Sequence, residues 1–238
     1  MSLMRDIYKD YRRYRATDER WFTVVFLSQG FWASCIYRFS RMVMTRVKIR
    51  WLRRIFGVVL AIVQKWVEIV TGITMSPDSD IGEGIYIGHY GQIFFPRFGR
   101  MGKNCNIQQG VTIGEGGRGE GWGVPVLGDR VHIGPNAVLL GKIVIGNDVA
   151  IAAGAIVTRS MPARAVVMGN PARVVSYEGS FEMVRYDGME TDPDRRASLA
   201  EQQAQASREN GACKAAINGA ESHEKMAITS SSPIKAAS

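Results

Sequence analysis

Between Leu127 and Val157 the aliphatic residues Leu127, Ile133, Leu139, Ile145, Ile151 and Val157 recur every six positions. Four residues after each of the first five stands a second small or aliphatic residue: Val131, Ala137, Ile143, Val149 and Ala155. A buried helical face returns every three or four residues and a half-buried strand every two, so neither explains a period of six. A short strand, a turn and a repeat of the same step do explain it, and that is the sequence signature of a parallel β-helix. The rhythm starts at Ile81 and Ile87, loosens across Ile93 to Phe98 around Pro96, and resumes at Met101, Ile107 and Ile113. Many hexads carry Gly84, Asn104, Asn136, Asp148 or Gly154 at the fourth position. These residue types accept the left-handed backbone angles of a tight corner.

Around this repeat the chain divides into three expected segments: 1–72 helical, 73–176 the β-helix, and 177–238 a mostly disordered tail. In the first, Tyr8, Tyr11 and Tyr14 lie three apart, and Trp21 to Phe39 and Trp51 to Val70 are apolar-rich. The longest uncharged stretch of the last run, Ile55 to Gln64, is ten residues, where a membrane span needs about 20. A buried or docking helix is therefore expected. Within the repeat, Glu115 to Pro125 is a glycine-rich excursion that fits neither dinucleotide nor P-loop spacing. It reads as a loop thrown out of the coil, where such scaffolds carry function. The tail is poor in large apolar residues and cannot offset its ordering entropy, although a short helix can form around Ala197 to Ser207.

Charge sharpens the division. Of the net +8, residues 1–72 hold 14 Lys/Arg against 5 Asp/Glu, residues 73–176 hold 9 against 7, and the remainder 7 against 10. The basic cluster Arg38, Arg41, Arg46, Lys48, Arg50, Arg53 and Arg54 is either a solvated face or a surface for anionic headgroups or a phosphorylated substrate. Cys35, Cys105 and Cys213 have no paired spacing, so neither a disulfide framework nor a metal site is expected. With no signal-peptide pattern at the N-terminus, a cytoplasmic location is expected; the solvated face is the favoured reading of the basic segment, and peripheral contact at the inner face of the membrane is the alternative. No nucleic-acid partner is expected.

The hexads, the protruding loop and the ending Val167-Met-Gly-Asn-Pro-Ala-Arg173 resemble the hexapeptide-repeat acyltransferases. Gly72 to Val175 is similar to the serine O-acetyltransferases, and Gly30 to Phe39 resembles the helical part that precedes their repeat. The short helical leader, the loop position and Gly110-Val-Thr-Ile-Gly114 equally resemble the acetyltransferases of bacterial exopolysaccharide clusters. The resemblance implies a left-handed β-helix, a homotrimer, and acetyl-CoA held as co-substrate between neighbouring subunits.

Moving an acetyl group to an alcohol needs a base for a weakly acidic hydroxyl, and a neutral imidazole suits that near pH 7. Of His89, His132 and His223, the resemblance places the catalytic base at His89, in Gly88-His-Tyr-Gly91. His132 reads as a solvated corner residue, and His223 lies in the tail. The resemblance also assigns a wall of the cofactor groove to Ala152, Ala153 and Gly154, with Arg173, and less directly Lys142 or Arg159, meeting the nucleotide phosphates. Trp122 at the loop tip either stacks on an acceptor or pins the loop.

Several family positions differ. Thr74 stands where an aspartate orients the base, Gly88 where an acidic residue precedes the histidine, and Gly123-Val124 where an Arg-His pair helps hold the amino acid. A serine pocket needs countercharges for an ammonium and a carboxylate. The expected acceptor is therefore a saccharide hydroxyl, as in exopolysaccharide assembly. The alternatives are serine itself, as in cysteine biosynthesis, and a non-catalytic oligomeric scaffold.

Overall fold

The computed structural model describes residues 3–16, 20–205 and 207. Four helices lead the chain: α1 (Leu3–Arg15), α2 (Trp21–Leu27), α3 (Gln29–Arg46) and α4 (Arg50–Thr71). Gly72, in the left-handed conformation at φ 67°, ends α4. Fifteen short strands follow among the described residues, from β1 (Ile73–Met75) to β15 (Ala172–Ser176).

These strands form three ladders, because each strand stacks on the one three before it, except that β14 stacks on β12. The first side of the coil is β1, β4 (Ile93–Phe95), β7 (Thr112–Gly114), β10 (Val138–Leu140) and β13 (Ile156–Val157). The second is β2 (Asp80–Ile81), β5 (Arg100–Met101), β8 (Val126–Leu127) and β11 (Val144–Ile145). The third is β3 (Tyr86–Ile87), β6 (Asn106–Ile107), β9 (His132–Ile133), β12 (Ala150–Ile151) and β14 (Val166–Gly169). All of these pairs are parallel, and β15 turns back antiparallel on β14 to close the end.

The hexad aliphatics are the core, and register identifies the member of the series at the turn where the rhythm loosens. Phe94 pairs with Thr112, so Phe95, 1% exposed, and not Ile93, stacks with Ile113. The inward series is then Met75, Ile81, Ile87, Phe95, Met101, Ile107, Ile113, Leu127 and onward by sixes to Val157. It breaks twice: eight residues separate Ile87 from Phe95 and fourteen separate Ile113 from Leu127. The first break holds His89, the second the Glu115–Pro125 loop.

A coil of parallel strands leaves its first turn with an unpaired edge, which must be satisfied or solvated. Here side chains of α1 and α3 cover it. Tyr37 Oη donates to Ser79 O (3.1 Å) and accepts from Ile81 N (3.0 Å). Arg38 donates to Ile81 O and Gly82 O, each at 2.6 Å. Asp10 Oδ1 accepts from Gly84 N (2.8 Å) and Ile85 N (3.1 Å), and Tyr14 Oη accepts from Ile87 N (3.2 Å). α3 comes this close because residue 30 is glycine; a Cβ there would lie 2.7 Å from Ile87 Cβ, Ile87 O and Tyr14 Oη. Arg38, counted in the sequence with a basic surface cluster, is in fact buried; Arg46, Lys48, Arg50, Arg53 and Arg54 are the exposed members.

Of the segment from 177 onward, residues 177–192 fold back on the third side of the coil. Ser180 and Val184 are fully buried there, Ser180 N donates to Asp148 O (2.9 Å), and Asn106 Nδ2 donates to Met183 O (2.8 Å). Few apolar residues suffice because polar side chains of the coil supply the attachment. Residues 193–205 form a separate helix. Residues 208–238, which carry Cys213, His223 and half of the expected disordered tail, lie outside the described residues.

Candidate active site

Several of the predicted site residues lie along the corner where the third side of the coil turns into the first. Gly88, Gln108, Gly134 and Ala152 stack there, through Gly88 N to Ile107 O (3.1 Å), Gln108 N to Ile133 O (3.1 Å), Gly134 N to Ile151 O (2.8 Å) and Ala152 N to Val167 O (2.8 Å). One left-handed residue per turn marks the same place: Gln92 (φ 52°), Gly110 (73°), Asn136 (57°) and Gly154 (68°). Gly110 N bonds Gly91 O as Asn136 N bonds Gln109 O and Gly154 N bonds Pro135 O. Gly91 is thereby the counterpart of Gln109, Pro135 and Ala153. His89 and Tyr90 have no counterpart. They are a two-residue insertion at the first turn of the corner, and both side chains are exposed.

The same corner carries the small residues three turns above. Ala153 and Gly154 are exposed, and a Cβ on Gly154 would meet nothing within 4 Å. At a rise of roughly 4.8 Å per turn, His89 and Ala153 are on the order of 14 Å apart along the edge. Arg173 lies at the end of this line, its residue paired with Met168, which follows Val167 above Ala152. The corner therefore unites His89, Ala152, Ala153, Gly154 and Arg173.

Other predicted residues fall elsewhere. The Glu115–Pro125 loop leaves the coil at the corner between the first and second sides, closed by paired bonds between Gly116 and Gly123 (3.1 and 3.0 Å). Trp122 is 59% exposed. Lys142 belongs to this corner, since its amide reaches Gly121 O (3.4 Å), and so does Arg159, two residues beyond Val157 of β13. Within one chain, His89 and Trp122 thus stand at opposite edges of the first side. Thr74 is half-buried in β1, on the row it shares with Phe94 and Thr112. No side chain among the described residues hydrogen-bonds His89.

His132 is not a solvated corner residue. It lies within β9 between Asn106 and Ala150, half-buried, with Nδ1 lacking a hydrogen-bond partner among the described residues. Burial lowers its pKa.

Two corner residues were not anticipated. The Gln108 amide sits over Gly88, with Oε1 only 2.8 Å from where a Cβ of residue 88 would be. Gln109 Oε1, at the next position, is buried without a hydrogen-bond partner among the described residues. The signal was available: Gln108-Gln109 stands where later turns have Gly134-Pro135 and Ala152-Ala153.

The fold and this corner define a class, the hexapeptide-repeat transferases. Residues 125–159 match the family described as bacterial transferase hexapeptide (six repeats). The chain is 35% identical over 134 residues to serine acetyltransferase of Synechococcus elongatus, covering 56% of this chain and 53% of that one. It is 33% identical over 124 residues to the Helicobacter pylori enzyme of the same name, covering 52% and 72%. Among solved structures, soybean serine acetyltransferase apoenzyme superposes with a TM-score of 0.64 at 30% identity, over 73% of this chain and 69% of that one. Neisseria gonorrhoeae serine acetyltransferase in complex with serine gives 0.63 at 26%, over 73% and 69%. The chain belongs to the serine acetyltransferase family, with its left-handed β-helix. It spans about half the length of the Synechococcus relative.

Proposed function

We propose that this chain is an O-acetyltransferase that moves the acetyl group of acetyl-CoA to an acceptor hydroxyl, with His89 as general base. The observation that carries the reading is the two-residue insertion that sets His89 out on the corner line of Ala152–Gly154 and Arg173. The imidazole takes the hydroxyl proton as the oxygen attacks the thioester carbonyl. The carbon–sulfur bond breaks, and the proton passes to the departing thiolate to give CoA. Ala152–Gly154 let a pantetheine arm lie close to the backbone, and Arg173 meets its phosphates. Because the loop and His89 occupy opposite edges of one side, a homotrimer would complete each site with the Trp122 loop of a neighbour.

The acceptor favoured by the relatives is L-serine, since the Synechococcus and Helicobacter proteins are named serine acetyltransferase and the Neisseria structure is described in complex with serine. This weighs against the saccharide expected from the sequence. The saccharide keeps one specific support: beside His89 the Gln108 amide sits over Gly88, and Thr74 in β1 and Gly123 and Val124 in the loop stand at the positions of charged residues of the family. Amides and small residues match hydroxyls better than they match an ammonium and a carboxylate. CoA release by the purified chain with L-serine and with a panel of saccharides decides between them. Turnover with L-serine supports the first reading, turnover confined to sugars supports the second, and no CoA release with any acceptor refutes both.

A further inference from the structure

We propose that α4 is a docking surface for an anionic phospholipid bilayer, lying flat in the interface with its basic N-terminal end among the headgroups. The helix touches the rest of the chain along one stripe, Gly57, Leu60, Gln64, Val67 and Thr71, spaced three and four apart. The opposite face carries an exposed apolar strip along the helix, from Trp51 (64% exposed) through Ile55, Val59 and Ile62 to Trp66 (64%) and Ile69 (68%). The strip runs along a 22-residue helix as one contiguous exposed apolar face, and such faces mark interaction sites.

Charge identifies the occupant. Arg46, Lys48, Arg50, Arg53 and Arg54 are exposed at the start of α4. The sole carboxylate in the α4 sequence, Glu68, is taken by Lys65 and Gln64. A groove of about 540 Å³ between α3 and α4 is lined by Met44, Gly57, Leu60 and Ala61 together with Arg53 and Arg54. Guanidinium groups beside an aliphatic groove suit a phosphodiester carrying acyl chains. A second copy presenting the same face would bring a second set of cations. Trp at both ends of the strip suits the headgroup boundary, where indoles concentrate. No helix among the described residues is long and apolar enough to cross a membrane, so the contact is peripheral. The proposal does not depend on which acceptor the enzyme uses.

The test is flotation of the full chain with phosphatidylcholine vesicles, with and without phosphatidylglycerol. It is repeated for Arg53→Gln/Arg54→Gln and for Ile62→Ser/Trp66→Ser, with oligomeric mass followed by sedimentation. All four side chains are solvent-exposed, and circular dichroism checks that the variants fold. Binding should require phosphatidylglycerol and weaken on the order of tenfold or more in each variant, through lost charge at about 1 kcal/mol per basic residue in the first and lost apolar burial in the second. Absence of vesicle binding, equal binding to phosphatidylcholine alone, or variants that bind like the wild type would overturn the proposal. A change of mass in Ile62→Ser/Trp66→Ser with vesicle binding intact would give the face to a second copy instead.

Discussion

Asp10 of α1 and Arg38 of α3 form a bidentate ion pair, Nε–Oδ2 2.9 Å and Nη2–Oδ1 3.1 Å, with side chains 0% and 5% exposed. Both partners spend their remaining bonding capacity on the edge of the first coil turn. The pair therefore ties two helices and the β-helix into one unit. Removing one partner leaves a buried charge without compensation, which costs about 3–5 kcal/mol. Arg38→Met should lower stability by that order in urea unfolding, while Asp10→Asn/Arg38→Met recovers part of the loss. Equal stability of the single variant and the wild type would remove the pair from this role.

His89→Ala should lower kcat by a factor of roughly 10²–10⁴, the usual contribution of a positioned general base. Because His89 lies outside the core, its thermal midpoint should be unchanged. A variant that still releases CoA from acetyl-CoA at the wild-type rate, with an acceptor the wild type uses, would shift the base elsewhere or favour the scaffold reading.

Ala153 and Gly154 separate two effects of size. Ala153→Trp, on an exposed corner, should raise KM for acetyl-CoA at least about tenfold with little change in kcat, as expected when binding shared by ground and transition states is lost. Gly154→Ala meets open space but forces a side chain onto φ 68°, and should cost about 1 kcal/mol of stability. Steady-state kinetics and thermal unfolding read the two separately. An unchanged KM in Ala153→Trp would move the cofactor off this corner.

His132 gives a pH dependence with a definite sign. Its folded pKa is lowered by burial, while the unfolded chain takes up a proton near the ordinary value of about 6.5. Its contribution to stability is full above that value and is lost as pH falls through it toward the folded pKa. The thermal midpoint should fall between about pH 7.5 and pH 5.5 in the wild type, and fall less in His132→Gln. Parallel curves for the two proteins would refute this.

The three-sided coil was legible because a buried position recurring every six residues leaves the same mark in every turn. The exception is instructive: Ile93 lies six after Ile87 and so seems to keep the rhythm, whereas Phe95 is the residue in register with Ile113. The two residues added at His89 and Tyr90 were masked by that coincidence. His89 could be singled out by resemblance, but its alignment with Ala153 is visible only once the insertion is counted. The Asp10–Arg38 pair was hidden because its members stand 28 residues apart in separate helices. Arg38 looked like one more member of a basic run. The attachment of residues 177–192 needs only Phe181, Val184 and Tyr186 as buried apolar anchors, joined by backbone and polar contacts that composition does not register.

The inserted residues at the two corners have a consequence for how such a chain can change. Neither His89 nor the bulk of the Glu115–Pro125 loop occupies a ladder position, and the turns above and below keep their own register whatever a corner holds. Lengthening or shortening a corner is thus a local event in a fold whose other turns do not feel it. In this architecture new specificity can arise by altering how many residues stand outside the coil, with every core position left as it was.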